Sequence, residues 1–249
     1  MEIWEQIKNF HLDNPEYAIA YGGDGTLLKQ ISFFGMGRKF IPIRNYGCCQ
    51  KHEHRLQKVL DYAKNGKLDK LAEEEGVTFH RPLKATFVEN IKKEETLHYA
   101  FAEITLKTSD PTSAIRFDVL INGERYLENC ISDAVIYSSE MGSHGYFKSV
   151  TRTIFRGIDN VGLGFLAPTY GINNLILSGN DKVTIVFKRD CEITATIDKE
   201  IFRVHPIIGT KIDLEQIRIP TMFIGYKEFC CYECRKNRNS TIVNDMYFC

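Results

Sequence analysis

The stretch Tyr21-Gly22-Gly23-Asp24-Gly25-Thr26 constrains the fold more than any other part of the chain. A short apolar run, Tyr17-Ala18-Ile19-Ala20-Tyr21, leads into it, and Leu27-Leu28-Lys29-Gln30-Ile31 follows with helical apolar spacing. The sequence therefore predicts a strand, a glycine turn and a helix. In that arrangement backbone N–H groups and a helix N-terminus face a phosphate. Gly22, Gly23 and Gly25 leave out the Cβ atoms that would hold phosphates off the backbone. Asp24 is the odd member, because a carboxylate repels an anion. It makes sense beside a phosphate if it handles a proton or a metal there. The plainer reading, a tight turn in which Asp24 only caps a helix, is open on these residues alone.

The ligand has to be held by local geometry. Lysine plus arginine number 32 and aspartate plus glutamate 32, so no basic excess argues for nucleic acid and no acidic excess for a solvating tail. With 249 residues and 43% hydrophobic content, the chain can form one large domain or two moderate ones around a substantial core. No run approaches the ~20 apolar residues that span a bilayer. Met1-Glu2-Ile3-Trp4-Glu5-Gln6 is acidic and amphipathic, unlike a signal peptide. A cytoplasmic protein with reduced thiols is expected, even with eight cysteines.

Trp4, Ile7 and Phe10, with His11, share a face of a short N-terminal helix that Asn14-Pro15 ends. The helix after the glycine loop is expected to end near Gly35-Met36-Gly37. Lys39 to Arg44 reads as a second strand, with Asn45-Tyr46-Gly47 as its exit. Leu56, Val59, Leu60 and Ala63 mark a helix closed by Gly66, and Lys67 to Glu75 reads as a short helix or exposed connection. Residues 1–76 thus form a small α/β domain, Rossmann-like but shortened. From residue 77 the pattern turns to strands: 77–88, 98–107, 114–121, 130–138, 182–189, 192–197 and 201–205. Asn122-Gly123 is a strong hairpin signal. Residues 77–225 are expected to form a larger β-rich, sandwich-like domain. Residues 226–249 form a cysteine-containing tail placed to pack back on the N-terminal domain. Its Cys231-Tyr232-Glu233-Cys234, with Cys230 and Cys249, offers one clear ligand pair where structural zinc usually takes two, so thiols are favoured over metal.

Taken together, these stretches resemble the NAD kinase family, within the wider group that includes diacylglycerol and sphingosine kinases. Gly22-Gly23-Asp24-Gly25-Thr26 with Leu27-Leu28 is that family's first motif unchanged. Asp133-Ala134-Val135-Ile136-Tyr137-Ser138-Ser139-Glu140-Met141-Gly142-Ser143-His144-Gly145-Tyr146 is similar to its DGLIVSTPTGSTAY segment, with Asp133, Ile136, Ser138, Gly142, Ser143 and Tyr146 matching in place. Asn45-x-Gly47, Ala102-Glu103 and Asp198-Lys199 are weaker echoes, and the likeness runs from residue 16 to about 220. The chain departs from the pattern in three places. Too little sequence precedes Tyr17 for the family's first strand and helix. Ala102 stands where the family has Asn, so one polar hook toward the nicotinamide riboside is lost. Glu140 and Met141 replace Pro-Thr, and His144-Gly145 replace Thr-Ala.

The resemblance implies phosphoryl transfer from ATP, or polyphosphate, to the 2′-hydroxyl of the adenosine ribose of NAD. Mg²⁺ would accompany the nucleotide. Asp24 would be the catalytic base. Gly22, Gly23, Gly25 and Thr26 would supply backbone donors to phosphate. Asn45 would hold a phosphate or ribose, Glu103 would accept ribose hydroxyls, and Asp133 would bond the nicotinamide end or orient its loop. Ser139, Gly142, Ser143, His144 and Tyr146 would line the dinucleotide, with Lys148 and Arg152 in second rank. The family forms dimers and tetramers, so a homodimer or homotetramer is expected; nucleic acid and membranes are not expected partners. Two other readings stay open: a kinase for another small hydroxyl compound or a lipid, and a non-catalytic NAD(P)-binding protein. The retained Asp24 argues against the latter, and Gly142-Ser143-x-x-Tyr146 against a lipid.

Overall fold

A computed structural model describes residues 2–45, 51–89 and 94–229. The chain divides into two compact units, Met1–Phe79 with Thr221–Cys249, and His80–Pro220. In chain order the first unit contains α1 (Ile3–Asp13), β1 (Tyr17–Tyr21), α2 (Asp24–Phe34), β2 (Lys39–Ile43), α3 (Lys51–Lys64), α4 (Leu68–Glu75) and β3 (Val77–His80). The second contains β4 (Leu83–Glu89), β5 (Glu94–Ala100), β6 (Glu103–Thr108), β7 (Ile115–Ile121), β8 (Glu124–Ser132), β9 (Ala134–Ser139) and a short 3₁₀ turn, Gly142–His144. It continues through α5 (Tyr146–Thr151), β10 (Asn160–Leu166), β11 (Leu175–Ser178), β12 (Val183–Phe187), β13 (Ile193–Ile197), β14 (Glu200–Val204) and β15 (Lys211–Gln216). β16 (Thr221–Ile224) and α6 (Tyr226–Phe229) return to the first unit.

The first unit is a four-stranded sheet in the order β1-β2-β16-β3, flanked by helices. Ala18, Ile19 and Ala20 are fully buried, as an apolar run without alternation requires of a strand covered on both faces. β1 and β2 run parallel, with Tyr17 opposite Lys39 and Tyr21 opposite Ile43. Leu27 and Ile31, one helical turn apart, bury one side of α2. α4 is a true helix with Leu68 and Leu71 buried, not an exposed connection. Gly35, Gly66 and Gly76 end α2, α3 and α4 in the left-handed region, at φ of 76°, 63° and 77°. Trp4 departs from the expected face: Ile7 and Phe10 of α1 are buried, whereas Trp4 is 60% exposed, its ring edge-on to Tyr21.

The second unit stacks two antiparallel six-stranded sheets, β11-β10-β9-β6-β13-β14 and β5-β4-β15-β12-β7-β8, around one apolar core. This is the expected β-sandwich. Phe117 of one sheet and Phe165 of the other stack with ring centroids 6.1 Å apart. Asn122-Gly123 joins β7 to β8 with φ of 53° and 85°, the two positive values a tight primed turn demands. β9 is buried at all six positions. Val135 and Tyr137 face the sandwich core, while Ile136 clusters with Phe147 and Phe155 under α5.

Three boundaries differ from the sequence reading. The expected strand 77–88 is two strands in different sheets, broken at Arg81-Pro82, where Pro82 has no N–H to give a ladder. The expected strand 130–138 divides at Asp133, where the chain passes from one sheet to the other. The last crossing between units falls after Pro220, not Gly225, because Phe223 pairs parallel with Phe40 in the first unit's sheet. Cys130 and Cys191 are free thiols. Cys230, Cys231, Cys234 and Cys249, considered for zinc, lie outside the described residues, as do Tyr46 and Gly47. No helix among the described residues is long and apolar enough to cross a membrane.

Candidate active site

In the α/β unit the glycine loop joins β1 to α2 at the carboxyl ends of two parallel strands, where open α/β sheets bind their ligands. The Gly22 N–H continues the β1–β2 ladder by donating to the Ile43 carbonyl at 2.8 Å. A Cβ at Gly22 would run into the Thr26 side chain, so glycine and threonine at this spacing fit one another. Gly23 is the N-cap of α2, and no side chain caps that helix. Its first N–H groups are therefore not taken up by a capping side chain, which suits a bound anion. The loop's plainer reading, Asp24 as a cap, does not hold: Asp24 is the first residue inside α2 and makes no cap hydrogen bond.

The Asp24 side chain is 67% exposed, and its Oδ1 accepts a hydrogen bond from Arg44 Nη2 at 2.8 Å. Asn45 follows Arg44 just past the end of β2 and is exposed. Gly22, Gly23, Asp24, Gly25, Thr26 and Asn45 thus share one end of the sheet. Sequence alone marks Arg44 only as the last residue of a strand, not as a partner of Asp24. The available signal was a lone charge ending the apolar run Phe40-Ile41-Pro42-Ile43.

In the β-rich unit Glu103, Ser139, Gly142 and Ser143 come together. Glu103 lies opposite Ser138 on β9, and its Oε2 accepts the Phe147 N–H of α5's first turn at 3.3 Å. Asp198, at the β13–β14 hairpin with φ 51°, accepts the N–H groups of Phe101, Ala102 and Glu103 at 2.7, 2.8 and 3.1 Å. That carboxylate fixes the entry to β6, a role its faint sequence echo did not reveal. The Ser139 hydroxyl is buried and donates to the Phe101 carbonyl, while Ser143 Oγ donates to Glu140 and Phe155 carbonyls at 2.8 and 3.2 Å. Both hydroxyls hold the turn together from inside, whereas His144 and Tyr146 are exposed. Lys148 is exposed on α5, and Arg152 ends that helix with φ 60°. Asp133 is not brought to this cluster within the chain. It sits at the other end of β9, where Ala134 pairs with Lys107 while Ser138 pairs with Glu103, about 16 Å along the strand.

Burial raises the Glu103 carboxyl to about 7. The Phe147 N–H opposes the rise, the Asp198 carboxylate adds to it and Lys199 opposes it. Burial also raises Asp198, held back by its three N–H donors. A carboxyl whose folded value lies above its unfolded one stabilises the fold below the unfolded value, near 4.5, and that stability is lost as pH rises through about 7. Glu103→Gln is expected to remove this loss. Denaturant titrations at pH 5 and pH 8 are expected to shift in favour of the variant by about 2 kcal/mol between the two pH values. No shift between them would show that Glu103 titrates normally.

A glycine loop carrying an in-line aspartate lies at parallel strand ends, and a β-sandwich follows it in the chain. No family model matches the sequence. The NAD kinase of Latilactobacillus sakei is 26% identical over 216 residues, covering 82% of this chain and 78% of that protein. In fold, the chain is similar to yeast NADH kinase complexed with NADH (TM-score 0.73, 17% identity), across 92% of this chain and 68% of that one. It is also similar to an NAD kinase from Archaeoglobus fulgidus in complex with ATP (TM-score 0.63, 18% identity), across 91% and 89%. In sequence the chain is thus similar to bacterial NAD kinases, and in fold to the two solved structures.

Proposed function

We propose that the protein transfers a phosphoryl group from ATP, or polyphosphate, to the 2′-hydroxyl of the adenosine ribose of NAD, giving NADP. The observation that carries this reading is Asp24: an exposed carboxylate in the first turn of α2, among glycines, where a pure binding site has no use for negative charge. Asp24 takes the ribose hydroxyl proton, the oxygen bonds to the terminal phosphorus, and the nucleoside diphosphate leaves. Such a transfer depends on position and on neutralised phosphate charge more than on covalent chemistry. Backbone N–H groups of Gly22, Gly23, Gly25 and Thr26 serve the phosphates, and Asn45 a phosphate or ribose. Glu103, poised near neutrality, can both donate to and accept from ribose hydroxyls. The Ser139–Tyr146 turn lines the dinucleotide, with Gly142, Ser143 and His144 in its middle. Asp133 serves the nicotinamide end.

Mg²⁺ fits as a passenger of the nucleotide. Among the described residues no group of three His, Cys, Asp or Glu is placed to hold a metal, and Mg²⁺ on phosphates keeps several waters and needs few protein ligands. When bound it neutralises phosphate charge. A homodimer or homotetramer in the cytoplasm is proposed from the family resemblance. The test is incubation with ATP, Mg²⁺ and NAD, read by an NADP-specific dehydrogenase. NADP is expected to accumulate with enzyme and time. Tight NAD binding by calorimetry without NADP would instead favour a non-catalytic binding protein, a reading that the loss of the Asn side chain at Ala102 keeps in view.

A further inference from the structure

Among the described residues of the α/β unit two arginines are buried, and their donors serve different ends. Arg55, 6% exposed, uses Nε, Nη1 and Nη2 on Glu75, the Pro42 carbonyl and the Ile224 carbonyl, tying α3, α4, β2 and β16 together. Its carboxylate partner, Glu75, is itself only 9% exposed. That is a fold-building ion pair, closed on both sides.

Arg44 is 3% exposed and is arranged otherwise. Its Nε donates to the Phe229 carbonyl at 2.8 Å, and its guanidinium lies 4.1 Å from the centroid of the Phe229 ring. Phe229 is 1% exposed and anchors α6. Nη2 donates to Asp24 Oδ1 at 2.8 Å. Nη1 is buried with no hydrogen-bond partner among the described residues. Burying a cation is costly unless it is paired. Here the only carboxylate paired with it among the described residues is one that is two-thirds exposed and belongs to the glycine loop. An arginine needed only for packing would be replaced at less cost by an apolar side chain of similar size.

We propose that Arg44 is a positioning residue for the reaction, clamped by Phe229 so that it holds Asp24 by one oxygen. With Oδ1 engaged, Oδ2 is the oxygen left to accept the substrate proton, and the carboxylate cannot rotate freely on its exposed stem. A rotating carboxylate would spend much of its time out of line, and small misplacements of a reacting group cost rate steeply. Phe229 acts one step further back, so α6 reaches the glycine loop through two contacts. This inference rests on the kinase reading above.

The test compares Arg44→Met, Arg44→Lys and Phe229→Leu with the wild type, using NAD, ATP and Mg²⁺. Arg44→Met is expected to lower kcat by about 10- to 100-fold. KM for NAD, and NAD binding by calorimetry, are expected to stay within about twofold of wild type. Arg44→Lys keeps the cation without the two-armed fork and is expected to recover part of the loss. Phe229→Leu is expected to lower kcat by several-fold, again at constant KM. A merely structural Arg44 would lower the melting temperature and leave kcat per folded molecule unchanged, and that result overturns the inference. If Arg44→Met does not fold, the other two variants decide: both at full kcat overturns it, and a loss of kcat at constant KM supports it. A wild type that makes no NADP is a different result, one that removes the kinase reading itself.

Discussion

Asp24→Asn is expected to lower NADP formation by about 10²–10⁴-fold, the range general-base help supplies, while NAD still binds. The substitution keeps the shape of the side chain but not its charge. Asn is close in shape to Asp and keeps a carbonyl oxygen at the position where Oδ1 accepts from Arg44 Nη2. The buried guanidinium therefore keeps an acceptor, and its contacts to the carbonyl and ring of Phe229 are untouched. The side chain is 67% exposed, so no packing is lost. What disappears is the ability to accept a proton, together with the charge that offsets the buried Arg44 guanidinium, so turnover is compared per folded molecule. Turnover measured with an NADP-specific dehydrogenase, beside calorimetry with NAD, separates the two roles. Parallel loss of binding and turnover would make Asp24 a structural residue of the loop and sink the general-base assignment.

Much of the architecture was legible because local chemistry agreed with the global fold. The apolar run before Gly22, the glycines that stop α2 and α3, and Asn122-Gly123 each state one conformation, and each is found. Elements whose signal is long-range were not legible. β10 was missed because Gly162 and Gly164 weaken its strand pattern. A Cβ at either would meet the Phe147 ring, so those glycines make room for α5 to lie on the sheet. α5 itself has six residues, too few to display a helical period. β16 joins a sheet whose other strands lie far earlier in the chain, Phe223 pairing with Phe40, and nothing local records that pairing. The site divides in the same way. The glycine loop and the Gly142 turn are contiguous motifs and were read directly. Arg44 and Asp198 act on residues distant in sequence: Arg44 on Asp24 and Phe229, and Asp198 on the backbone of residues 101–103. Only the folded chain shows what either one holds.

Gly142→Ala is expected to disable the turn that follows β9, and the reason is space, not backbone strain. Its φ is not in the left-handed region, where glycine is usually required. An added Cβ would press into the Ala102 carbonyl and lie 2.7 Å from Ser138 Oγ. Ala102 cannot easily withdraw. Its carbonyl accepts the Ser139 N–H at 2.9 Å, and its own N–H is held by Asp198 at 2.8 Å. Either the turn from Glu140 to His144 lifts away, or the entry to β6 leaves the Asp198 carboxylate and takes Glu103 with it. Overpacking of this kind costs about 1–3 kcal/mol, which lowers the melting temperature by several degrees in a protein of this size. NAD affinity is expected to fall by about tenfold, the loss that corresponds to about 1.4 kcal/mol of binding energy forfeited when the turn is displaced from the substrate. Gly171→Ala is the control: nothing lies within 4 Å of a Cβ there, so neither melting temperature nor affinity is expected to change. Wild-type affinity and stability in Gly142→Ala would mean that the turn yields without disturbing either the fold or the substrate, and would sink the assignment of this turn to the site.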